Sequence, residues 1–100
     1  MTTFTASETL AISGLTPVQS SAALVDNVGG ARASVALICP ITNPVNFTYV
    51  DGATPAAGTS IPLAVGTPFY IYGYNNIKNA VYFNTASQSA SLYVQYAYGD

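Results

Sequence analysis

The stretch that decides the fold is residues 45–74, VNFTYVDGATPAAGTSIPLAVGTPFYIYGY. Its first part alternates apolar and polar residues, with Val45, Phe47 and Tyr49 on one side, and this pattern is typical of a half-buried β-strand. The Asp51-Gly52 pair then ends the strand, because it suits the left-handed backbone of a tight turn. A broad loop rich in Gly, Pro, Ala, Thr and Ser follows.

A second strand closes this stretch, and its two faces differ in chemistry. Phe69 and Ile71 point to one face, whereas Tyr70, Tyr72 and Tyr74 point to the other. The first face is suited to a hydrophobic core. The second face carries hydroxyl groups, and what it contacts is the functional question that this sequence raises.

The rest of the chain has the same pattern of short apolar runs. Further strands are predicted at 3–13, 18–25, 32–39, 77–84 and 89–98, with polar turns at Asp26-Asn27, Asn75-Asn76 and 86–89. Pro40 and Pro44 bracket a connection where the chain leaves the sheet or changes sheets, because proline cannot donate to a strand ladder. No apolar pattern at helical spacing persists over about 11 residues. The sequence therefore predicts an all-β fold, an antiparallel β-sandwich (jelly-roll or immunoglobulin-like) of about seven strands.

Composition indicates one domain, residues 1–100, with a surface that is almost uncharged. Only 6% of the residues are charged, compared with about 25% in ordinary soluble domains. The surface must therefore consist of Ser, Thr, Asn, Gln, Gly and Ala. A formal net charge of −2 gives little repulsion between copies, which favours an associating subunit over an ordinary secreted domain with a Ser/Thr-rich face.

Several classes of partner are not expected. The chain has no basic cluster, so it lacks the electrostatic footprint of a nucleic-acid-binding protein. Residues 1–5 lack the pattern of a secretory signal, and no apolar run approaches the ~20 residues that cross a membrane. Cys39 is the single cysteine and lies in the apolar run 35–39, which predicts a core residue.

The residues that usually carry catalysis are scarce. There is no histidine, and the four carboxylates lie in unrelated segments: Glu8, Asp26, Asp51 and Asp100. Asp26 and Asp51 already have a structural explanation as turn residues. No metal, phosphate or other cofactor motif is present, and the Asn46-Phe47-Thr48 glycosylation pattern falls inside a predicted strand. The sequence thus predicts a protein that is not an enzyme and needs no cofactor.

The tyrosines are the remaining unusual feature, with eight Tyr, four Phe and no Trp in the chain. Five of them are predicted to point out of the core and to form an interface: Tyr70, Tyr72, Tyr74, Tyr82 and Tyr93. Tyrosine is favoured where a surface is buried against a partner without becoming a dry core. Cross-strand packing alone is an alternative explanation, and a stacking platform for sugar rings is a third.

From about residue 32 to residue 98 the chain resembles small β-sandwich proteins encoded among the virion structural genes of tailed bacteriophages. The likeness is carried by 45–55 (VNFTYVDGATP), Gly58, 61–66 (IPLAVG), 74–80 (YNNIKNA) and 90–96 (ASLYVQY). The sequence departs from those proteins in lacking arginine around residues 78–84. Residues 1–30 lie outside the likeness and are expected to be an extra strand pair or an arm that reaches a neighbour.

This resemblance implies a non-enzymatic virion component, assembled in the host cytoplasm. A capsid decoration or cement-like protein is expected, with itself as a homo-oligomer and the major capsid protein as partners. The alternative is a tail or fibre module that binds a host cell-surface glycan through the 52–67 loop and nearby tyrosines. A hydrolase is a third hypothesis, and it requires two carboxylates facing each other in a cleft.

Overall fold

The structure is a computed structural model that describes residues 3–26 and 28–99. Its described part contains seven strands: β1 (Phe4–Ser13), β2 (Ala33–Pro40), β3 (Val45–Thr48), β4 (Ile61–Leu63), β5 (Phe69–Tyr72), β6 (Val81–Phe83) and β7 (Ser89–Tyr98). Two short α-helices, α1 (Ala22–Val25) and α2 (Tyr74–Asn79), and a 3-10 helix at Ala57–Thr59 lie in the connections. The predicted all-β fold of about seven strands is confirmed.

The strands form two antiparallel sheets. Sheet A has the order β1-β7-β2-β5, and sheet B has the order β4-β3-β6. The connection between Pro40 and Pro44 carries the chain from sheet A to sheet B, as the sequence predicts. β7 pairs with β1 on one side and with β2 on the other, so its regular alternation reflects one face on the core and one face outside.

The core lies between the two sheets, and Phe47 is near its centre. This ring is fully buried on β3, and its centroid lies 5.1 Å from that of Phe69 on sheet A and 6.2 Å from that of Tyr82 on sheet B. Aliphatic side chains from both sheets complete the core, among them Ile12, Ile38, Ile71, Leu92 and Val94. Burial of such side chains is the main favourable term in folding.

The predicted strand at 18–25 is wrong. Ala22–Val25 forms α1, in which Val25 is buried, and only Val18 makes a strand-like pair, with Tyr82. Alanine and leucine are good helix formers, so this short segment closes a helical turn once Val25 packs into the core. The turn expected at Asp26-Asn27 follows α1, and Asn27 lies outside the described residues.

The segment after β5 also differs from the prediction. Gly73 has φ 92°, a left-handed conformation that ends β5 and starts α2. The expected Asn75-Asn76 turn is therefore part of a helix whose buried residue is Ile77, and the strand expected over 77–84 is limited to β6. The predicted broad loop also differs, because it contains the three-residue strand β4 with Pro62 in its middle.

A bulge changes the faces of β2. The register shifts between Ala33 and Val35, so that Ala33 is buried together with Ala36 and Ile38, whereas Val35 and Leu37 are half-buried on the outer side. Cys39 is consequently half-buried on the outer side, where its thiol contacts the Pro40 carbonyl at 3.7 Å. The expectation that Cys39 belongs to the core is wrong for this reason.

Candidate functional site: the outer face of sheet A

The outer face of sheet A carries four aromatic side chains, which we call the aromatic face: Phe4, Tyr70, Tyr72 and Tyr93. Tyr70 and Tyr72 lie on β5 opposite Leu37 and Val35 of β2, and Tyr93 lies on β7. Register therefore brings together residues that are far apart in the sequence.

Phe4 joins this face because of a bulge in β1. The register of β1 against β7 shifts between Phe4 and Ala6, and Phe4 pairs with Ala97, which lies on the same side of β7 as Tyr93. Its ring centroid is 6.3 Å from that of Tyr70. The sequence pattern instead places Phe4 with Ala6 on the core side, and no signal in the residues marks the bulge.

The tyrosines of the face are accessible and ordered against one another. The exposed fractions of Tyr70, Tyr72 and Tyr93 are 47%, 65% and 36%. The rings of Tyr70 and Tyr72 stack at 6.1 Å with an interplanar angle of 21°. The Gln95 amide donates a hydrogen bond to the Tyr93 hydroxyl at 3.3 Å, and the neighbouring Ser7 and Gln95 side chains lower the pKa of Tyr93.

No charged side chain lies on the aromatic face in the described part of the chain. The exposed residues of β1 on this side are all small and uncharged: Thr5, Ser7, Thr9, Ala11 and Ser13. The one charge in β1, Glu8, points inward, where its carboxylate accepts hydrogen bonds from the Tyr96 hydroxyl and from the Ser21 backbone N–H. A partner can thus cover this face without removing a charge from water, which is the costly step in most polar interfaces.

Tyr74 does not lie on this face, contrary to the prediction. It is the first residue of α2 and is half-buried, and its hydroxyl donates to the Asp26 carboxylate at 2.7 Å. The Arg32 guanidinium lies 4.5 Å from its ring centroid and the Lys78 ammonium 5.5 Å. The Tyr74 hydroxyl, followed by Asp26, raises the pKa of Lys78. The helix that replaces the expected turn rotates Tyr74 away from Tyr70 and Tyr72.

Tyr82 is also misplaced in the prediction, because it is fully buried in the core. Val81 and Phe83 take the other side of β6, and they are buried too. β6 is covered on both faces and on its outer edge, where Val18 pairs with Tyr82. Burial raises the pKa of Tyr82.

We predict that Tyr82→Phe leaves the protein at least as stable as the wild type, with a gain of up to about 1 kcal/mol. The Tyr82 hydroxyl is buried and has no hydrogen-bond partner among the described residues, and the same holds for the Ser20 hydroxyl. Urea unfolding measures the change. Tyr96→Phe is the matched control, and it should lose about 1.5–3 kcal/mol because it removes a hydrogen bond to the Glu8 carboxylate. A loss of more than about 1 kcal/mol for Tyr82→Phe would contradict the assignment.

The two turn carboxylates lie near one small cavity of about 150 Å³, lined by Gln19, Asp26, Asp51 and Lys78 among others. Each carboxylate has a partner already. Asp51 accepts a hydrogen bond from the Gln19 amide at 3.0 Å, and Asp26 accepts from Tyr74 and lies 4.0 Å from the Lys78 ammonium. Gly52 has φ 76°, so the predicted Asp51-Gly52 turn is confirmed. Over residues 3–26 and 28–99, no three His, Cys, Asp or Glu side chains cluster as metal ligands do.

A wider groove of about 630 Å³ lies beside Arg32 and Tyr74, and its other lining residues are small: Gly30, Ala31, Ala33, Ser34, Gly73 and Gly99. The glycosylation pattern Asn46-Phe47-Thr48 is not accessible, because Asn46 is 9% exposed and its side chain bonds to Ser60 and Thr85. Among the described residues there is also no helix long and apolar enough to span a membrane.

Comparison with known proteins gives one structural likeness. No protein-family model matches the chain, and no curated protein is similar to it. A solved structure described as "Bacillus endospore appendages form a novel family of disulfide-linked pili" superposes with a TM-score of 0.40 and 16% sequence identity, over 99% of this chain and 92% of the other. A likeness of this degree carries no argument about function, which has to come from the aromatic face itself.

Proposed function

We propose that this protein is a non-enzymatic structural component of a bacteriophage virion, a capsid decoration or cement-like protein. It would bind the major capsid protein and further copies of itself. The observation that carries the proposal is the uncharged outer face of sheet A with its exposed tyrosines. The resemblance of residues 32–98 to phage virion proteins supports the choice of partner.

The free energy of burying the aromatic face against a partner supports this proposal. A tyrosine buries about 150–250 Å² and keeps a hydroxyl that can stay hydrated at the rim. Tyr70 and Tyr72 lie side by side with nearly parallel rings, so one partner surface can cover both. Many copies repeated over a lattice then add their small contributions, so that no single contact needs to be strong.

The test is binding to purified empty capsids of the phage that carries this chain's gene. Wild-type protein should bind saturably at lattice stoichiometry in a co-sedimentation assay. The Tyr70→Ser/Tyr72→Ser variant should bind at least about thirtyfold more weakly, because the two most exposed aromatic side chains of the aromatic face are lost.

The control is Leu15→Ser, which removes an equally exposed apolar side chain, 49% against 47% for Tyr70, at the turn that follows β1 and outside the aromatic face. It should bind like the wild type. Equal weakening by both variants, or no binding of the wild-type protein to capsids, would refute the proposal.

A glycan-binding tail or fibre module is the second candidate, and the parallel stacking of Tyr70 and Tyr72 favours it, because sugar rings pack on such aromatic surfaces. The same protein preparations separate the two functions. Retention on host cells or host polysaccharide, without binding to capsids, would support the glycan-binding module instead.

A further inference from the structure

Three of the four sheet edges in the described structure are protected against pairing with another chain. The edge of β6 is occupied by Val18, whose N–H donates to the Tyr82 carbonyl at 3.0 Å and whose carbonyl accepts from the Tyr82 N–H at 2.8 Å. β4 has three residues with Pro62 in the middle, and β5 has four residues directly after Pro68. Short length and proline are common devices that keep an edge strand from pairing.

β1 is the exception. It has ten residues, with no proline, lysine or arginine; its bulge lies at one end, between Phe4 and Ala6, and its inward-facing charge, Glu8, is already hydrogen-bonded to Tyr96 and Ser21. Among the described residues, no backbone group outside β7 hydrogen-bonds to the backbone of residues 4–12; only the Ser13 carbonyl has another partner, the Thr16 N–H at 3.1 Å. The strand therefore offers a long row of unpaired N–H and C=O groups, which is a template for a further strand.

We infer that the free edge of β1 pairs antiparallel with β1 of a second copy of this chain, joining two four-stranded sheets A into one continuous sheet. The partner must be an extended strand of matching length, and β1 itself is the one long free edge strand in the described structure. Its exposed side chains are Thr, Ser and Ala, so two copies meet without charge repulsion, and cross-strand Thr and Ser pairs stabilise sheets.

The side-chain pattern also fixes the register. Directly opposed residues in a sheet share a face, so the inward residues of one β1 must oppose inward residues of the other. One register of this kind places the two Glu8 carboxylates opposite each other, and like charges at that position are destabilising. Of the remaining allowed registers, the one that pairs the largest part of β1 places Thr9 opposite Thr9 on the two-fold axis, with Ser7 opposite Ala11.

The geometry makes a closed dimer rather than a filament. A two-fold pairing uses the same edge on both copies, and it leaves only the short or covered edges free. The axis is perpendicular to the sheet, so both aromatic faces lie on the same side. This inference adds a homodimer to the proposed function. It rests on the proposed function in one respect: the capsid binds the uncharged surface that the two aromatic faces form together.

Cysteine cross-linking tests the register. In a Cys39→Ser background, Thr9→Cys should form a disulfide-linked dimer on mild oxidation, since directly opposed side chains have Cβ atoms about 4.5–5.5 Å apart. Ser7→Cys is the matched control, because four residues of offset separate the two cysteines by about 13 Å along the strands. Cross-linking of Ser7→Cys as fast as Thr9→Cys, or of neither, would overturn the inference.

Sedimentation equilibrium tests the association without any cross-link. Thr9→Lys places two ammonium groups together on the axis and should weaken dimerisation by about tenfold or more. Thr67→Lys adds the same charge at an exposed turn outside the sheets and should not. A wild-type protein that stays monomeric at millimolar concentration, or equal effects of the two lysines, would refute the pairing.

The two proposals can fail separately. If the protein dimerises through β1 but does not bind capsids, the edge pairing is supported and the capsid function is refuted. If the protein binds capsids as a monomer, and Thr9→Lys binds them like the wild type, the capsid function is supported and the edge pairing is refuted.

Discussion

Replacement of Phe47 by alanine is expected to lower the free energy of unfolding by about 3–5 kcal/mol. The ring is fully buried and is packed between Phe69 of sheet A and Tyr82 of sheet B. Its removal leaves a cavity between two sheets whose strands are held by backbone hydrogen bonds, so the surroundings can collapse only in part. Since small domains have total stabilities of about 5–15 kcal/mol, this one substitution removes a large share of the stability.

Urea unfolding followed by far-UV circular dichroism measures the loss. Tyr72→Ala is the matched control, because it truncates an aromatic side chain of similar size that is 65% exposed, and it should cost less than about 1 kcal/mol. Similar losses for the two variants would mean that Phe47 does not join the two sheets.

The sequence predicts well those strands in which one or both faces are covered by residues distant in the sequence. β7 alternates over ten residues because one side faces the core and the other faces outward, and β2 is apolar on both sides, with one side buried in the core and the other half-buried. Such patterns are direct consequences of two-residue periodicity. They also place Tyr70 and Tyr72 of β5 correctly on the outer side.

The errors occur where an element is too short to have a period. α1 and α2 have four and six residues, so neither shows a helical repeat. β6 has three residues, and three residues do not reveal which face is the inner one, so Tyr82 was predicted to point outward although it lies in the core. In these places tertiary packing, and not local pattern, determines the conformation.

The candidate site could be predicted only in part. The sequence identifies Tyr70, Tyr72 and Tyr93 as outward-facing residues, and the structure places all three on one face. That they share this face follows from the order β7-β2-β5, which depends on strand pairing and not on any local signal. Phe4 could not be found, because its position depends on a bulge. The interface role of these residues stays a prediction.

Charge placement connects the fold to the proposed function. The described charged side chains lie away from the aromatic face: Glu8 is turned inward, Asp26, Arg32 and Lys78 surround Tyr74, and Asp51 is held by Gln19. Each has a structural partner within the chain. The few charged side chains therefore make contacts inside the chain, at a helix end, at a turn and in the interior. None of them has to be desolvated when another protein covers the outer face of sheet A.

Replacement of Asn84 is expected to have the second large effect on the free energy of unfolding, because its side chain holds the turn that precedes β7. It is 1% exposed, and its amide donates to the Pro44 carbonyl at 2.7 Å while its carbonyl accepts from the N–H groups of Ala86 and Gln88 at 2.8 and 3.1 Å. The turn that it holds contains Ser87 at φ 58°, a left-handed conformation that a residue with a side chain adopts only at a cost. Asn84 thus ties the start of β3 to the start of β7 and stabilises a strained turn.

Asn84→Ala should lower the free energy of unfolding by about 2–4 kcal/mol, since it removes three hydrogen bonds made by a fully buried side chain. Asn46→Ala is the matched control: that side chain is also buried, but its hydrogen bonds are longer, 3.1–3.3 Å, and its loss should cost only about 1–2 kcal/mol. Urea unfolding compares the two variants, and amide hydrogen exchange at Ala86 and Gln88 should accelerate in Asn84→Ala alone. If both variants lose the same stability and leave those two amides protected, the turn is held by the backbone around Ser87 and not by Asn84.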